Sequence, residues 1–435
     1  MDESVVTPAA RSGDLRPIHY IGNKSRYLDA IEQAVDRVAG PGRAACDLFA
    51  GTSVVSRRLA QSRPVVSADI QTYSQVLARA LTRPTAFSAA ETEALLRIAR
   101  TWLDDVRPAF ADLLALEAGA VSDADPTRLA ALIEGGSFEL AAAGAPELEQ
   151  AKRRALESAD SARTTLTWYY GGVYFSYAQA LELDALRHAI RGDGRDDTAV
   201  AAVMGAASDA VSTVGNHFAQ PVQPRRRDGS LKGSWVTSVA RRRQYSVLDG
   251  FARRLARYAE LTPTAHPCTA VRSDFQETLS ALGPEVGVIY ADPPYTRDHY
   301  SRFYHVLETI ALDDDPGVSL APGTFGPSRG LYRAERHQSP FSIRTQARPS
   351  FRHLMAEAKR LGVPLVLSYS PMSAGTKARP ETRLISVHDL VSIAGDYFTD
   401  VSLVDVEASS HSRFNRVDLG AEIDRAAEIL VVGQN

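Results

Sequence analysis

The sequence predicts an α/β fold in which a parallel sheet is interrupted by a long, mostly helical insertion. Three observations carry that expectation. A strand–loop–helix–strand run occupies 43–70, a second α/β block begins near Cys268, and the stretch between them is Ala-rich and helix-periodic.

Ala44-Ala45-Cys46-Asp47-Leu48-Phe49 is a short apolar run of strand type, and Ala50-Gly51-Thr52-Ser53 supplies a tight turn. Residues 54–61 follow with helical spacing, and Pro64-Val65-Val66-Ser67-Ala68-Asp69 reads as a second strand. Such a βαβ opening implies parallel strands joined by a right-handed crossover. Val286-Gly287-Val288-Ile289-Tyr290-Ala291 is a strand that runs directly onto Asp292. Residues 350–361 read as a helix, and 363–369, 401–407 and 429–432 as later strands. The expected organisation is a disordered leader at 1–15, the first part of the α/β unit at 16–82, a helical insertion at 83–265, and the second part at 266–435.

Composition excludes several classes. The 435 residues are 44% hydrophobic and 23% charged, with no apolar run long enough to span a bilayer. The first sixteen residues lack the hydrophobic core of a secretory signal. Cys46 and Cys268 stand far apart in no C-x-x-C pair, and the ten histidines form no H-x-x-x-H pattern. These features predict a reduced, cytoplasmic setting with no membrane contact, no disulfide framework and no metal site. The formal net charge is −3, yet 221–260 holds ten cations against three acids, a local +7. Positive charge gathered within a near-neutral chain suits either a nucleic-acid footprint or a solvated face.

The chemistry centres on Asp292-Pro293-Pro294-Tyr295, where a strand meets a loop. Ligands of open parallel sheets bind beyond the carboxyl ends of the strands. Two consecutive prolines stiffen the backbone and remove two N–H donors, leaving carbonyls and a carboxylate as acceptors. An exocyclic amino group needs that setting, because its lone pair is delocalised into the ring and it is a poor nucleophile. The Asp292 carboxylate and Pro293 carbonyl could take both N–H bonds, while Tyr295 offers a ring on which a base stacks. A duplex base reaches such a pocket only when flipped out. Standing alone, the tetrapeptide also reads as a rigid turn with a buried tyrosine.

Asp47, Phe49 and Gly51 fit a loop that cradles a nucleotide-like cofactor at a helix N-terminus. Asp69 ends the next strand, 18 residues after Gly51, where an acid meets ribose hydroxyls in dinucleotide folds. Neither G-x-G-x-x-G nor a P-loop is present, which favours S-adenosylmethionine over NAD or ATP.

On these residues the chain resembles the Dam-type (D12 class) N6-adenine-specific DNA methyltransferases. Tyr20-Ile21-Gly22-Asn23-Lys24 is similar to the family's Y-x-G-x-K motif, which implies that Tyr20, Gly22 and Lys24 contact the methionine part of the cofactor. Asp47, Phe49 and Gly51 match its D-x-F-x-G loop, and Asp69 its ribose-binding acid. Asp274-Phe275 matches the pair implied to hold the cofactor adenine. Asp292 to Tyr295 is the catalytic motif, continued through Arg297 and Tyr300 to Tyr304-His305-Val306-Leu307-Glu308-Thr309. One departure is Ser53, which replaces a second glycine and is accommodated if its backbone keeps a negative φ. The resemblance implies a Rossmann-like S-adenosylmethionine-dependent methyltransferase sheet, with 16–82 and 266–435 as catalytic parts and 83–265 as the target-recognition domain. It implies a sequence-specific, site-specific enzyme acting as a monomer on adenine N6 of flipped bases in double-stranded DNA. Any cognate restriction or defence protein is expected to be separately encoded, and restriction–modification, phage defence and an orphan regulatory role all stay open as its setting.

Within the insertion, Asn216, Arg225, Arg226, Arg227 and Lys232 are the leading DNA-contact candidates, with Arg336 a second site in the irregular stretch 313–349. Arginine can read guanine and asparagine adenine, although most such contacts go to phosphate. Trp168-Tyr169-Tyr170 and Tyr174-Phe175-Ser176-Tyr177 read as core. Three alternatives stay open: N4-cytosine methylation, an RNA substrate, and a non-catalytic nucleic-acid-binding subunit of the same fold. The usual cytosine signature is S-P-P-Y and that of protein-glutamine methylation is N-P-P-Y, so Asp292 favours adenine.

Overall fold

The computed structural model describes residues 15–159, 163–192, 194–213, 215, 217–297, 299–370, 383–406 and 428–435. The expected leader, apart from Leu15, and the candidate Asn216 lie outside the described residues.

Among the described residues there are seven strands: β1 (Ala44–Leu48), β2 (Val65–Asp69), β3 (Cys268–Arg272), β4 (Val286–Ala291), β5 (Leu365–Tyr369), β6 (Asp400–Asp405) and β7 (Ile429–Gln434). They form one sheet in the order β3-β2-β1-β4-β5-β7-β6. The first five run parallel, while β7 is antiparallel to both β5 and β6. β1, β4 and β5 are buried along their whole length, which is why they read as unbroken apolar runs. Alternate side chains enter opposite cores. Ala45, Val288, Tyr290, Val366 and Val432 face one, and Cys46, Ile289, Ala291, Leu367 and Val431 the other.

Two features of this topology position a site. The strand order reverses at β1, with β2 on one side and β4 on the other, which opens a crevice at the carboxyl ends of these strands. Because β7 runs backwards, its first residue arrives at that same edge, Ile429 pairing with Tyr369 at the end of β5.

Residues 89–259 are chiefly helical, from Ala89–Val106 to Val247–Ala259. Helix Asp197–Ala210 is buried along nearly its whole length and packs on helices Thr72–Thr82 and Val247–Ala259. Its Ala, Gly and Ser content allows that approach: a Cβ on Gly205 would lie 3.0 Å from Arg254 Nε of helix Val247–Ala259 and 2.9 Å from the Pro17 carbonyl oxygen. The aromatic run belongs to this core, with Tyr170, Tyr174, Phe175 and Tyr177 fully buried.

The Tyr304–Thr309 segment ties the two parts of the sheet to the insertion. The Ile21 N–H donates to the Tyr304 hydroxyl (2.8 Å), and His305 Nε2 meets the Phe218 carbonyl (3.2 Å). Glu308 accepts from the N–H groups of Thr72 and Tyr73, both at 2.9 Å, and so caps helix Thr72–Thr82. A carboxylate there satisfies orphan donors and complements the helix dipole. Burial among Tyr170, Tyr174, Phe218 and Tyr332 pushes the His305 pKa down to about 3, so the ring is a neutral strut.

Candidate active site

β1 and β4 are neighbours in register, Asp47 beside Tyr290 and Leu48 beside Ala291. The loops that follow them therefore leave the sheet side by side. The Asp292 N–H donates to the Leu48 carbonyl (3.3 Å), which anchors the D-P-P-Y loop to the end of β1. Every catalytic and cofactor residue expected from the sequence lines a single cleft at this edge, about 1310 Å³ including its open mouth.

Lys24 is almost fully buried, at 5% exposure, and its Nζ lies 3.0 Å from Asp292 Oδ1. The same ammonium lies 3.2 Å from Oε1 of Glu428, the residue preceding β7. Ser368 donates its hydroxyl to that oxygen at 2.6 Å. Sequence reasoning missed Glu428. Its only local signal is an acid ahead of a late apolar run, and the antiparallel return of β7 gives it meaning. Burial pushes the Asp292 pKa up against the pull of Lys24, and Glu428 adds to the rise. The two carboxylates in turn hold the Lys24 pKa above its ordinary value despite burial.

The loop after β1 curls through three left-handed residues: Phe49 at φ 67°, Gly51 at 53° and Ser53 at 58°. The negative φ expected at Ser53 does not hold. The Ser53 N–H closes a turn onto the Ala50 carbonyl at 2.7 Å, and Ser53 then takes the left-handed N-cap position of helix Val54–Leu59, a conformation that glycine adopts freely. Gly51 N–H donates to Asp69 Oδ2 (3.0 Å), linking the loop to the end of β2. A Cβ at Gly51 would lie 2.8 Å from the Tyr20 hydroxyl. If the cleft holds S-adenosylmethionine, as proposed below, Gly51→Ala should weaken its binding about tenfold or more, since both the strained φ and the Tyr20 ring must give way. Isothermal titration checks this.

Asp47 is buried and accepts from the Ser56 hydroxyl, and desolvation pushes its pKa up to about 7. Asp69 also accepts from the Gln71 N–H (2.9 Å), and its pKa rises to about 6 by burial, offset in part by these N–H donors. Asp274 caps helix Phe275–Ala281 by accepting from Gln276 and Glu277 N–H, at 2.7 and 2.9 Å. Phe275 and Phe49 pack as an aromatic wall with Phe341. Tyr20 stacks on Tyr304, centroids 4.6 Å apart, beneath the loop.

Tyr295 is half-buried, tilted against Tyr369 at 5.2 Å. The Arg383 guanidinium lies 4.4 Å from its ring centroid and donates to the Ser370 hydroxyl at 2.7 Å. Nothing in the local sequence had pointed to Arg383.

The basic candidates are not part of the cleft. Arg225 pairs with Glu134 at 3.0 Å, and Arg226 Nη1 donates to the Leu231 carbonyl at 2.8 Å in a tight turn through Gly229. Arg226 and Arg227 are exposed. Lys232 Nζ donates to the Gln223 carbonyl (3.1 Å) beside a separate depression that reaches Phe303. Arg336 and Arg302 both lie over the Tyr332 ring, at 5.0 and 5.3 Å. Among the described residues no helix is long and apolar enough to cross a membrane.

A reversed-order sheet, a glycine-bearing loop after β1 and an acidic proline loop after β4 together define a Rossmann-like methyltransferase. The chain belongs to the D12 class N6 adenine-specific DNA methyltransferase family, whose model matches residues 20–123 and 242–364. It is also similar to modification methylase LlaI of Lactococcus lactis subsp. lactis, with 28% identity over 161 residues. That alignment covers 36% of this chain and 22% of the relative, so the chain spans about a fifth of the length of the curated relative it matches.

Proposed function

We propose that this chain transfers a methyl group from S-adenosylmethionine to the exocyclic N6 of an adenine flipped out of double-stranded DNA, at a specific sequence. One observation carries the reading. The Asp292 carboxylate and the Gly51–Asp69 loop line the same cleft, at the point where the sheet order reverses.

The cleft's donors and acceptors suit this cofactor. Asp69 at the end of β2 and Asp274 at a helix start are acids for hydroxyl or amino groups, and Phe49 and Phe275 offer apolar faces for an adenine. When bound, S-adenosylmethionine supplies an electrophilic methyl on a sulfonium. Asp292 and the Pro293 carbonyl accept the two N–H bonds of the target amino group, so its lone pair is freed from the ring. Tyr295 gives the base a stacking face, worth ~1–3 kcal/mol, which offsets part of the unstacking cost of flipping. The name of the Lactococcus relative supports a modification role, with any cognate nuclease in a separate chain.

Incubation with tritiated S-adenosylmethionine and unmethylated genomic DNA should label the DNA, and methylation-aware sequencing should place the mark on adenine within one motif. Label on RNA or protein alone would sink the reading.

Arg225–Arg227 are read as phosphate contacts of the insertion. Replacing all three by alanine should weaken DNA binding at every sequence and flatten its salt dependence. The slope should fall by about 2 rather than 3 phosphate equivalents, because Arg225 already pairs with Glu134. An unchanged slope removes this loop from the footprint.

A further inference from the structure

Lys24 poses a problem of charge. Its ammonium touches Asp292 at 3.0 Å and would cancel the carboxylate on which the proposed chemistry depends. A neutralised carboxylate is a weak acceptor for an amino N–H and a weak base for the proton that the amino nitrogen must later lose. Glu428 changes the balance. It is 5% exposed, lies 3.2 Å from the same ammonium, and is fixed from behind by the Ser368 hydroxyl at 2.6 Å. Two carboxylates and one ammonium leave the cluster at −1, with Lys24 and Glu428 buried and Asp292 partly exposed to the cleft.

We infer that Glu428 is a positioning residue which engages Lys24, restores one negative charge to the reaction centre, and so lets Asp292 act as hydrogen-bond acceptor and proton acceptor beside a cationic cofactor. The inference rests on the function proposed above. It concerns a residue outside the stretches that match the family model, which end at 364.

The balance of atoms and charge follows. The S–CH3 bond breaks as the N–CH3 bond forms, and the positive charge passes from sulfur to nitrogen. The methylated nitrogen gives its proton to Asp292, which becomes a neutral acid while Lys24 stays paired with Glu428. Before transfer the −1 cluster faces a +1 sulfonium. Afterwards the spare charge has taken up the proton, and no isolated charge is left buried at either stage. Among the described residues the other ionisable groups facing the cluster are Asp47, Tyr290 and Tyr295. Each is an acid and so cannot supply a competing positive charge, and burial raises the pKa of each toward its neutral form. The Arg383 guanidinium is engaged by the Tyr295 ring and Ser370.

The test compares two ligands that differ in charge at one atom. S-adenosylmethionine carries the sulfonium, and S-adenosylhomocysteine carries a neutral thioether. Titration calorimetry on the full-length chain should show that Glu428→Gln lowers the preference for the charged ligand about five- to tenfold, while Glu428→Asp retains most of it. A purely structural role would weaken both ligands together. The second arm uses Lys24→Met, which leaves two carboxylates facing each other, and Lys24→Met with Glu428→Gln, which leaves Asp292 alone. The double variant should methylate DNA about tenfold faster than the single one, because removing the second carboxylate returns Asp292 to its ionised form. An unchanged ligand preference in Glu428→Gln, or a double variant no faster than Lys24→Met, overturns the inference. A wild-type chain that binds neither ligand overturns the proposed function instead.

Discussion

Asp292→Ala should lower methyl transfer to DNA by about a hundred- to a thousandfold while S-adenosylmethionine binding stays within a few-fold of wild type. The magnitude is that of removing one preorganised polar group from a reaction centre. Binding should survive because the loop contacts through Gly51 and Asp69 do not pass through this side chain. Single-turnover labelling together with calorimetry separates the two effects. The pH profile supplies a second check. Asp292 must be ionised to serve as the proton acceptor proposed above, and burial holds its pKa above the ordinary carboxylate range. The transfer rate should therefore fall as the pH is lowered through that raised range, along a one-proton limb. A limb confined to the ordinary carboxylate range near 4 would mean that Asp292 is not the titrating group.

Lys24→Met should destabilise the fold by about 3–5 kcal/mol at neutral pH, the usual cost of removing one partner from a buried ion pair. The side chain is 5% exposed and faces two carboxylates, so the variant leaves both without a counter-charge. Its pH dependence has a definite sign. Without the ammonium, the folded-state pKa of Asp292, already raised by burial, rises further above its unfolded value. The folded variant then binds more protons than its unfolded chain across the acidic range. Its stability is greatest below the unfolded carboxylate pKa and is lost as pH rises through the raised value. The gap in melting temperature between wild type and variant should accordingly narrow at pH 5 relative to pH 8. A gap that is constant with pH would show that Lys24 contributes by packing and not by charge.

Much of the molecule was legible before its structure. The βαβ opening, the strand running onto Asp292 and the helical character of the insertion all follow from local periodicity. Burial on two faces writes apolar runs into β1, β4 and β5, and a helix packed on one side writes a period near 3.6. The Gly51 loop was legible for a similar reason, since a close approach at positive φ leaves few residue choices. Ser53 shows the limit of that reasoning. A single residue in the left-handed region is decided by where the chain must turn, here from the Ala50–Ser53 turn into helix Val54–Leu59, and not by its own preference.

The sequence by itself determined the chemistry on offer: an acid and two prolines at the end of a strand, a glycine-bearing loop after the first strand, and an acid closing the second strand. Only the tertiary structure decided how that chemistry is charged. Lys24, Asp292 and Glu428 lie 268 and 136 residues apart along the chain, so no local pattern could relate them. They meet because the parallel strands end where the antiparallel β7 begins, and because an ion pair withdrawn from water depends on distances of a few ångströms that only the folded sheet sets.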